Sequence, residues 1–555
     1  MRMPSRAFLV TTAFISFSGC AIGPDYEPPT VTVPEVFRTA SSTPAVASAP
    51  MTADFVRWWQ VLHDPQLNWL IEQSIASNPD IEIALTRVQE ARLQQNVVLG
   101  AMLPTVAGRR GIATGSAGDL MRSRAGLTLR AGDSTQGVRA ISRMAGFDAS
   151  WELDLFGKVQ RSLEVAIDDA EAQIDLRNAV LITVIADVAR NYFEIRGLRI
   201  RLEIARKDVA EAKRTIDLVA TQLEHGESNK SDVAPATDES DATSKKRGVR
   251  VSERRNNSSE SKELDIALAE GELAIQLARL PELEAAISAA ESRLAGLLGT
   301  YAADIAGAIR GPAKLPAIPE RLRPGAPVEL LRRRPDIRAV ERELAAATAR
   351  IGVATADLFP SVTLTAGFGG QGTTGHTTSA PLIRGPIWSV GPSVNWPVLD
   401  FGRLDALIDI QEMRSHEVLV RYKKTIIAAV EEVNQAIRQY RLDRQRWKAL
   451  SAALEAIRHA VNFTTERYKR GDTEFRVLLG EQRWKYAREE QVAIAAEAAV
   501  LHYVAFYKAL GGGWELYGEL PPLPPVQPAI VAGVGRLTGG WPLTLMGSAR
   551  LMKSP

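Results

Sequence analysis

The chain is built twice from one unit, and that repeat restricts its fold more than any other feature. Asn78-Pro79-Asp80-Ile81 returns as Arg334-Pro335-Asp336-Ile337. Leu103-Pro104-Thr105-Val106 returns, with the same spacing between prolines, as Phe359-Pro360-Ser361-Val362. Phe156-Gly157-Lys158 matches Phe401-Gly402-Arg403, and the segment around Gly226 matches that around Gly471. Self-similarity over so long a period means that one arrangement of elements is used in both halves. Each unit reads as helix, two strands, long helix, turn, helix. The boundaries are 51–325 for the first copy and 326–514 for the second.

Strand segments alternate with period two. Val362, Leu364, Ala366 and Phe368 share one side against Ser361, Thr363 and Thr365. Trp388, Val390, Val394 and Trp396 alternate with Ser389, Gly391, Ser393 and Asn395, and Phe147, Ala149, Trp151 and Leu153 with Asp148, Ser150, Glu152 and Asp154. One apolar face suits a half-buried sheet or a barrel wall. Trp151, Trp388 and Trp396 are candidates for membrane-interface anchors, with wall packing the equal alternative. Gly367-Phe368-Gly369-Gly370-Gln371-Gly372 fits a dinucleotide fingerprint by letter, but a Thr- and Pro-containing loop follows it instead of a helix, so it reads as a hairpin loop.

No proline interrupts Lys158 to His225 or Arg403 to Arg470, and each stretch would extend about 100 Å as a helix. Leu163, Ile167, Ala170 and Ile174, then Leu181, Val184 and Val188, follow a 3-4 spacing, as do Ile426, Val430, Val433, Ile437 and Tyr440. That is a coiled-coil seam, and helices this long must pack side by side. Pro281 falls inside a helical pattern and reads as a kink.

Four strands cannot close a barrel, since about eight is the smallest closed size. An open sheet in lipid leaves unpaired edges at prohibitive cost. The chain must therefore oligomerise, and the polar strand face would line a lumen that the helices prolong. Composition agrees. Lys plus Arg total 67 against 65 for Asp plus Glu, a net charge of +2, without the basic excess of a nucleic-acid binder. Lys245-Lys246-Arg247 reads as a solvated loop. One cysteine, Cys20, excludes an intrachain disulfide framework, and the six histidines lack ligand spacing, so no metal or cofactor is expected. No carboxylates pair as acid and base, so there is no candidate catalytic residue.

Arg2 and Arg6 precede an apolar run from Ala7 to Phe17, and Ser18-Gly19 stands before Cys20. Residues 1–19 resemble a lipoprotein signal peptide, with Phe17 where the pattern has leucine, which would make Cys20 the lipidated terminus; an ordinary secretory signal with an incidental cysteine is the alternative. No later stretch approaches a spanning helix. Residues 20–50, rich in Pro, Ala, Ser and Thr, read as an extended tether. Residues 515–555, opened by Pro521-Pro522-Leu523-Pro524-Pro525, read as a disordered tail.

Cys20-Ala21-Ile22-Gly23-Pro24-Asp25-Tyr26, Leu331-Arg332-Arg333-Arg334-Pro335-Asp336-Ile337, Ile351-Gly352-Val353-Ala354 and Leu510-Gly511-Gly512-Gly513-Trp514 resemble the signature stretches of TolC-like outer-membrane efflux lipoproteins, the NodT family. The resemblance runs from Cys20 to Trp514. It implies a mainly α fold with a transmembrane β-barrel: a homotrimer whose twelve-stranded barrel, four strands per chain, continues into a periplasmic helical barrel. It also implies a periplasmic adaptor and an inner-membrane resistance–nodulation–division pump as partners, with outer-membrane lipid around the barrel and no nucleic acid. The function it implies is passive conduction of small toxic compounds to the exterior, with a conduit for type I protein secretion as the alternative. By the same resemblance the periplasmic tips and gate fall on Gly226, Leu264 and Asp265 in the first copy, with Asp232-Val233 as a competing register, and on Arg467, Arg470, Gly471, Asp472, Glu474 and Glu481 in the second. Charge pairs or hydrogen bonds among Arg467, Arg470, Asp472 and Glu474 are expected to hold the gate. The first tip departs from the family through a polar insertion, about 227–260, that has the composition of disorder.

Overall fold

The computed structural model describes residues 21–34, 37, 53–116, 139–231, 244–307, 309, 313–320, 322, 333–375 and 384–517. The signal segment, Cys20 and the tail beyond Tyr517 lie outside the described residues.

After a single helical turn at Ala53–Val56, two helices open the first unit. Helix α1 (Pro65–Ser77) is capped by Asp64, whose Oδ1 accepts from the Gln66 and Leu67 amides at 3.0 and 3.2 Å. Helix α2 (Pro79–Ala101) is capped by Asn78, whose Oδ1 accepts from Asp80 and Ile81 at 2.9 and 3.1 Å. In both, proline at the first helical position gives up an amide that has no partner there anyway. Strands β1 (Thr105–Ser116) and β2 (Arg139–Leu153) follow, then helices α3 (Lys158–Ser231) and α4 (Ser244–Leu297). The second unit repeats the order with α5 (Pro335–Ala356), β3 (Ser361–Gly375), β4 (Arg384–Asn395), α6 (Arg403–Lys469) and α7 (Phe475–Leu510).

Pro104 and Pro360 each stand immediately before a strand, a few residues past a helix end. Proline fixes its own φ and disfavours helix in the residue before it, so the switch from helix to strand is written at the same place in both units. The strands form one antiparallel sheet in the order β1-β2-β3-β4. Pro281 lies inside α4. Helix α7 has the length and apolar composition of a spanning helix, contrary to the sequence expectation, but Ala495, Ala499, Tyr503, Val504 and Phe506 are buried inside the protein.

The units close on themselves by one device used twice. Asn78 Nδ2 donates to the Leu297 carbonyl at 2.8 Å, and Ser77 Oγ to Leu298 O at 2.8 Å, so the start of α2 caps the end of α4. In the second copy Arg334 donates through Nη1 to Ala509 O at 2.7 Å, at the end of α7. Arg334 also donates to Asp336 through Nε and Nη2, at 3.0 and 2.7 Å, and pairs through Nη1 with Glu432 of α6 at 2.7 Å. Each helix then ends on a glycine of positive φ, Gly299 at +62° and Gly511 at +76°. A Cβ on Gly299 would stand 2.3 Å from Ser77 O, and one on Gly511 3.0 Å from Arg334 Cγ. The repeated Asn/Arg-Pro-Asp-Ile and Leu-Gly stretches are thus the two sides of one joint.

The main core lies beside these joints, where Trp58, Trp59, Leu67, Leu70 and Ile71 pack on Leu181, Ile185, Tyr192 and Phe193 of α3 and on Tyr503 of α7. Trp58 stacks on Tyr507 with ring centroids 5.4 Å apart.

Candidate functional site

The sheet is a single layer with two unlike faces. Register places Val106, Ala149, Ala366 and Val390 in one row and Phe147, Phe368 and Trp388 in another, on the same side. Phe147, Phe368 and Trp388 are 64%, 65% and 74% exposed, so this apolar face has no covering among the described residues. The opposite face carries Arg109, ion-paired to Asp148 at 2.9 Å, with Ser150, Glu152, Thr363, Thr365, Ser389 and Ser393. Both outer strands, β1 and β4, have one unpaired edge. Exposed apolar surface of this extent marks an interaction face, and unpaired edges invite further strands.

The three tryptophans take two different places. Trp151 and Trp396 sit at the helix-side end of the sheet. Trp151 Nε1 donates to Met102 O at 2.9 Å and Trp396 Nε1 to Leu358 O at 3.1 Å, each to the carbonyl just past the preceding helix. Trp388 belongs to the row farther out along the strands.

At this helix-side end the N-terminal segment is docked, not loose. Ile22 N donates to Phe156 O at 3.3 Å, and Arg161 donates to Ile22 O, to Gly23 O and to the Asp25 carboxylate at 3.3, 3.2 and 2.6 Å. Gly23, at φ +101°, lies so close that a Cβ would fall 2.4 Å from Gly352 Cα, and a Cβ on Gly157 would fall 2.5 Å from Ala21 Cα. Farther on, Val31 and Val33 pack near Ile337, Tyr422 and Ile426, and Phe37 is buried with Phe55, Val433 and Phe506. The tether expected from composition is therefore a strap: extended, but held by glycine contacts and buried apolar side chains along its described length. The tail likewise begins attached, because Arg177 donates to Tyr517 O at 2.7 Å.

The far end of the helices holds the second hairpin's turn. Helix α6 stops in a Schellman closure, with Gly471 N donating to Tyr468 O and Asp472 N to Arg467 O, both at 2.9 Å. Gly471 takes φ +79°, which a side chain disfavours. Phe475, Leu478 and Leu479 then bury themselves against Val219 of α3 and Ala269 of α4. Asp265 faces this turn: burial pushes its carboxyl up, Arg476 opposes and Glu474 adds to the rise. Leu264 beside it is exposed and Glu481 is half-buried on α7.

Two expectations change here. Gly226 does not turn the chain but lies inside α3, and residues 227–231 and 244–260 of the insertion are helical, with 232–243 outside the described residues. Composition misled, because extending an existing helix is far easier than starting one. Of the charge pairs or hydrogen bonds expected among Arg467, Arg470, Asp472 and Glu474, the described residues of one chain show hydrogen bonding and no charge pair. Arg467 donates to Asp472 O at 3.0 Å and Arg470 to Glu466 O at 3.2 Å, so the turn's arginines satisfy backbone carbonyls instead.

The ionic links between the hairpins lie farther up the helices. Arg483 of α7 pairs with Glu272 of α4 at 2.6 Å, Lys485 with Glu211 of α3, and Gln482 donates to Thr215 at 2.9 Å. Glu490 accepts from Arg279 of α4 at 2.6 Å and from Arg201 of α3 at 2.7 Å. Asp208 sits in this belt nearly without exposure, 3.7 Å from Arg279. Burial above all, and then the neighbouring Glu489 carboxylate, push its pKa up to about 7 against the pull of Arg279 and Lys485. Every partner is distant in sequence, and the one local signal is charges of both signs recurring along α3, α4 and α7.

Comparison with known proteins agrees with this geometry. The family described as "Outer membrane efflux protein" matches residues 70–261 and 326–512, one segment in each repeat. Nodulation protein T of Rhizobium leguminosarum bv. trifolii is 28% identical over 91% of this chain and 97% of its own length. The cation efflux system protein CusC of Escherichia coli O6:H1 is 28% identical over 90% and 97%. The solved outer-membrane channel OprN superposes with a TM-score of 0.73 at 31% identity, covering 89% of this chain and all of that one.

Proposed function

Because the chain belongs to the outer membrane efflux protein family, we propose that three copies assemble into the passive exit duct of a tripartite pump, with a periplasmic adaptor and an inner-membrane resistance–nodulation–division transporter as the other two parts. The chain is an outer-membrane efflux channel extending into the periplasm. One observation carries the trimer: a four-stranded sheet with two open edges, an apolar face outside and a polar face behind it. Pairing β4 of each copy with β1 of the next satisfies every edge at once. The duct does no chemistry, so selection of cargo belongs to the pump.

Three sites serve this reading. Cys20 carries the lipid, since the adjacent Ala21 lies against Gly157 where strands give way to helices, the level of the periplasmic leaflet. The tip around Gly471, with Asp265, Glu474 and Glu481 beside it and Gly226 and Leu264 on the neighbouring hairpin, meets the adaptor. The belt from Arg483–Glu272 to Arg279–Glu490 holds the second hairpin against the first until docking draws them apart. Trp151 and Trp396 anchor the periplasmic boundary of the barrel and Trp388 lies in its outward band.

The test places a photo-crosslinking residue at Thr473 in cells. The expected product joins this chain to a periplasmic coiled-coil adaptor, and cells lacking the chain accumulate a fluorescent pump substrate such as ethidium. Normal export without the chain, or a Thr473 residue that crosslinks to no adaptor, would contradict the proposal.

A further inference from the structure

The outward sheet face changes character along the strands. From Trp396 to Trp388 it is apolar, a span of roughly 26 Å along the strand, or about 20 Å along the membrane normal at the usual barrel tilt. Beyond Phe147, Phe368 and Trp388, on the same face and away from the helices, stand Arg110 and Arg143. Arg110 pairs in register with Ala145, and Arg143 lies in one row with Ile112, Gly372 and Arg384. Both Arg110 and Arg143 are exposed, and neither forms an ion pair among the described residues. The other arginine of this strand, Arg109, faces the opposite way and is paired with Asp148.

An arginine on the lipid face costs about 2–4 kcal/mol at the membrane midplane and about 0–1 near the interface, so this row belongs at the outer headgroups. Glycines floor the space beside it. Gly108 and Gly370 share the face with Arg110, and together with Phe147, Phe368 and Pro386 they border a shallow depression of about 640 Å³. A Cβ built on Gly370 meets nothing within 4 Å, so the floor is open. Guanidinium above, aromatic edges and bare backbone below: this matches the junction of an anionic headgroup with its acyl chains, because guanidinium binds phosphate oxygens in pairs.

We propose that Arg110 and Arg143 form a binding site for the phosphate groups of an outer-leaflet glycolipid, with its chain seated over Gly108 and Gly370. The site rests on the membrane-spanning reading of the sheet and adds its lipid partner. Charge complementarity selects the occupant, since Arg110 and Arg143 are cationic and a phosphorylated glycolipid offers several negative oxygens at the depth where they stand.

The experiment titrates the full-length trimer, in detergent, with bis-phosphorylated lipid A and counts bound lipid by native mass spectrometry. The paired variant Arg110→Gln/Arg143→Gln should bind about tenfold less, having lost two charge-assisted contacts, and Gly370→Leu should bind less by filling the depression. Dephosphorylated lipid A should bind the parent as weakly as lipid A binds the paired variant. Displacement of lipid A by millimolar inorganic phosphate would assign the site to free anions and overturn the proposal, as would equal lipid binding by parent and variants. Channel conductance of the same preparations is read separately: a parent that binds lipid A but forms no channel overturns the duct, not the lipid site.

Discussion

The two helical hairpins come from one repeated unit, yet they agree at one end and differ at the other. At the base each is locked by the residue before Pro-Asp-Ile, Asn78 reaching Leu297 O and Arg334 reaching Ala509 O. At the far end the second hairpin turns tightly at Gly471, while α3 of the first runs on from Val219, which packs on that turn, to Ser231. That is about 18 Å of further helix. The base must fit a joint inside the chain and so allows little variation. The free ends answer only to whatever docks on them, and there the copies have diverged.

The largest expected effect comes from erasing the difference. Deleting Glu227 to Ser259 and joining α3 to α4 by a short turn should leave trimer level unchanged and lower efflux toward that of cells without the channel. Substrate accumulation and trimer level on mild gels report the two quantities. Loss of the trimer would show the projection to be part of the scaffold and end the contrast between fixed base and free tip.

Next come the two base locks. Arg334→Ala should destabilise the protein by about 2–3 kcal/mol, because it leaves Asp336, Glu432 and a helix-end carbonyl without their shared donor. Asn78→Ala should cost about 1 kcal/mol, the usual loss of a helix cap. Thermal unfolding compares them, and a larger loss at Asn78 would mean that the copies do not share one joint.

The belt between the hairpins predicts a smaller, pH-dependent effect. Asp208 has a folded pKa raised to about 7, above the unfolded carboxylate value of about 3.9. Its contribution to stability is therefore fully present below about pH 4 and is lost as pH rises through about 7. Asp208→Asn should stabilise the protein by about 1–3 kcal/mol at pH 8 and leave it unchanged at pH 4. A variant whose gain is the same at both pH values would remove Asp208 from the pH response.

The smallest effect is a pair of opposite signs. Gly226→Ala should stabilise by about 0.5–1 kcal/mol, since Gly226 lies within a helix. Gly471→Ala should destabilise by about 1 kcal/mol, since its φ is positive although the space around it is open. Equal signs would mean that the two glycines hold the same conformation after all.

Much of this was legible in the sequence, and the rest was hidden for identifiable reasons. Strand alternation gave β2, β3 and β4 because that signal is local, whereas β1 alternates less regularly and is marked chiefly by Pro104. The absence of proline gave the helix from Arg403 within a residue or so of its end. Gly226 misled because a glycine was weighed by analogy with Gly471, while the neighbouring turn already formed could carry the helix through it. The belt could not be read, since Arg483 and Glu272 meet only after both hairpins fold. Residues 21–34 read as a tether by composition because the strap's close backbone approach at Gly23 and Gly352 leaves no mark there.

The central claim is that three chains close one duct, and planar-bilayer recording of the purified full-length protein tests it most directly. Stepwise conductance should come from preparations whose mass corresponds to three chains, and should vanish when Val106→Pro, Val390→Pro and Val394→Pro together disrupt β1 and β4, the edges that must pair between copies. A protein that inserts into lipid vesicles as a single chain, or as a trimer that passes no current at any voltage, would contradict the account.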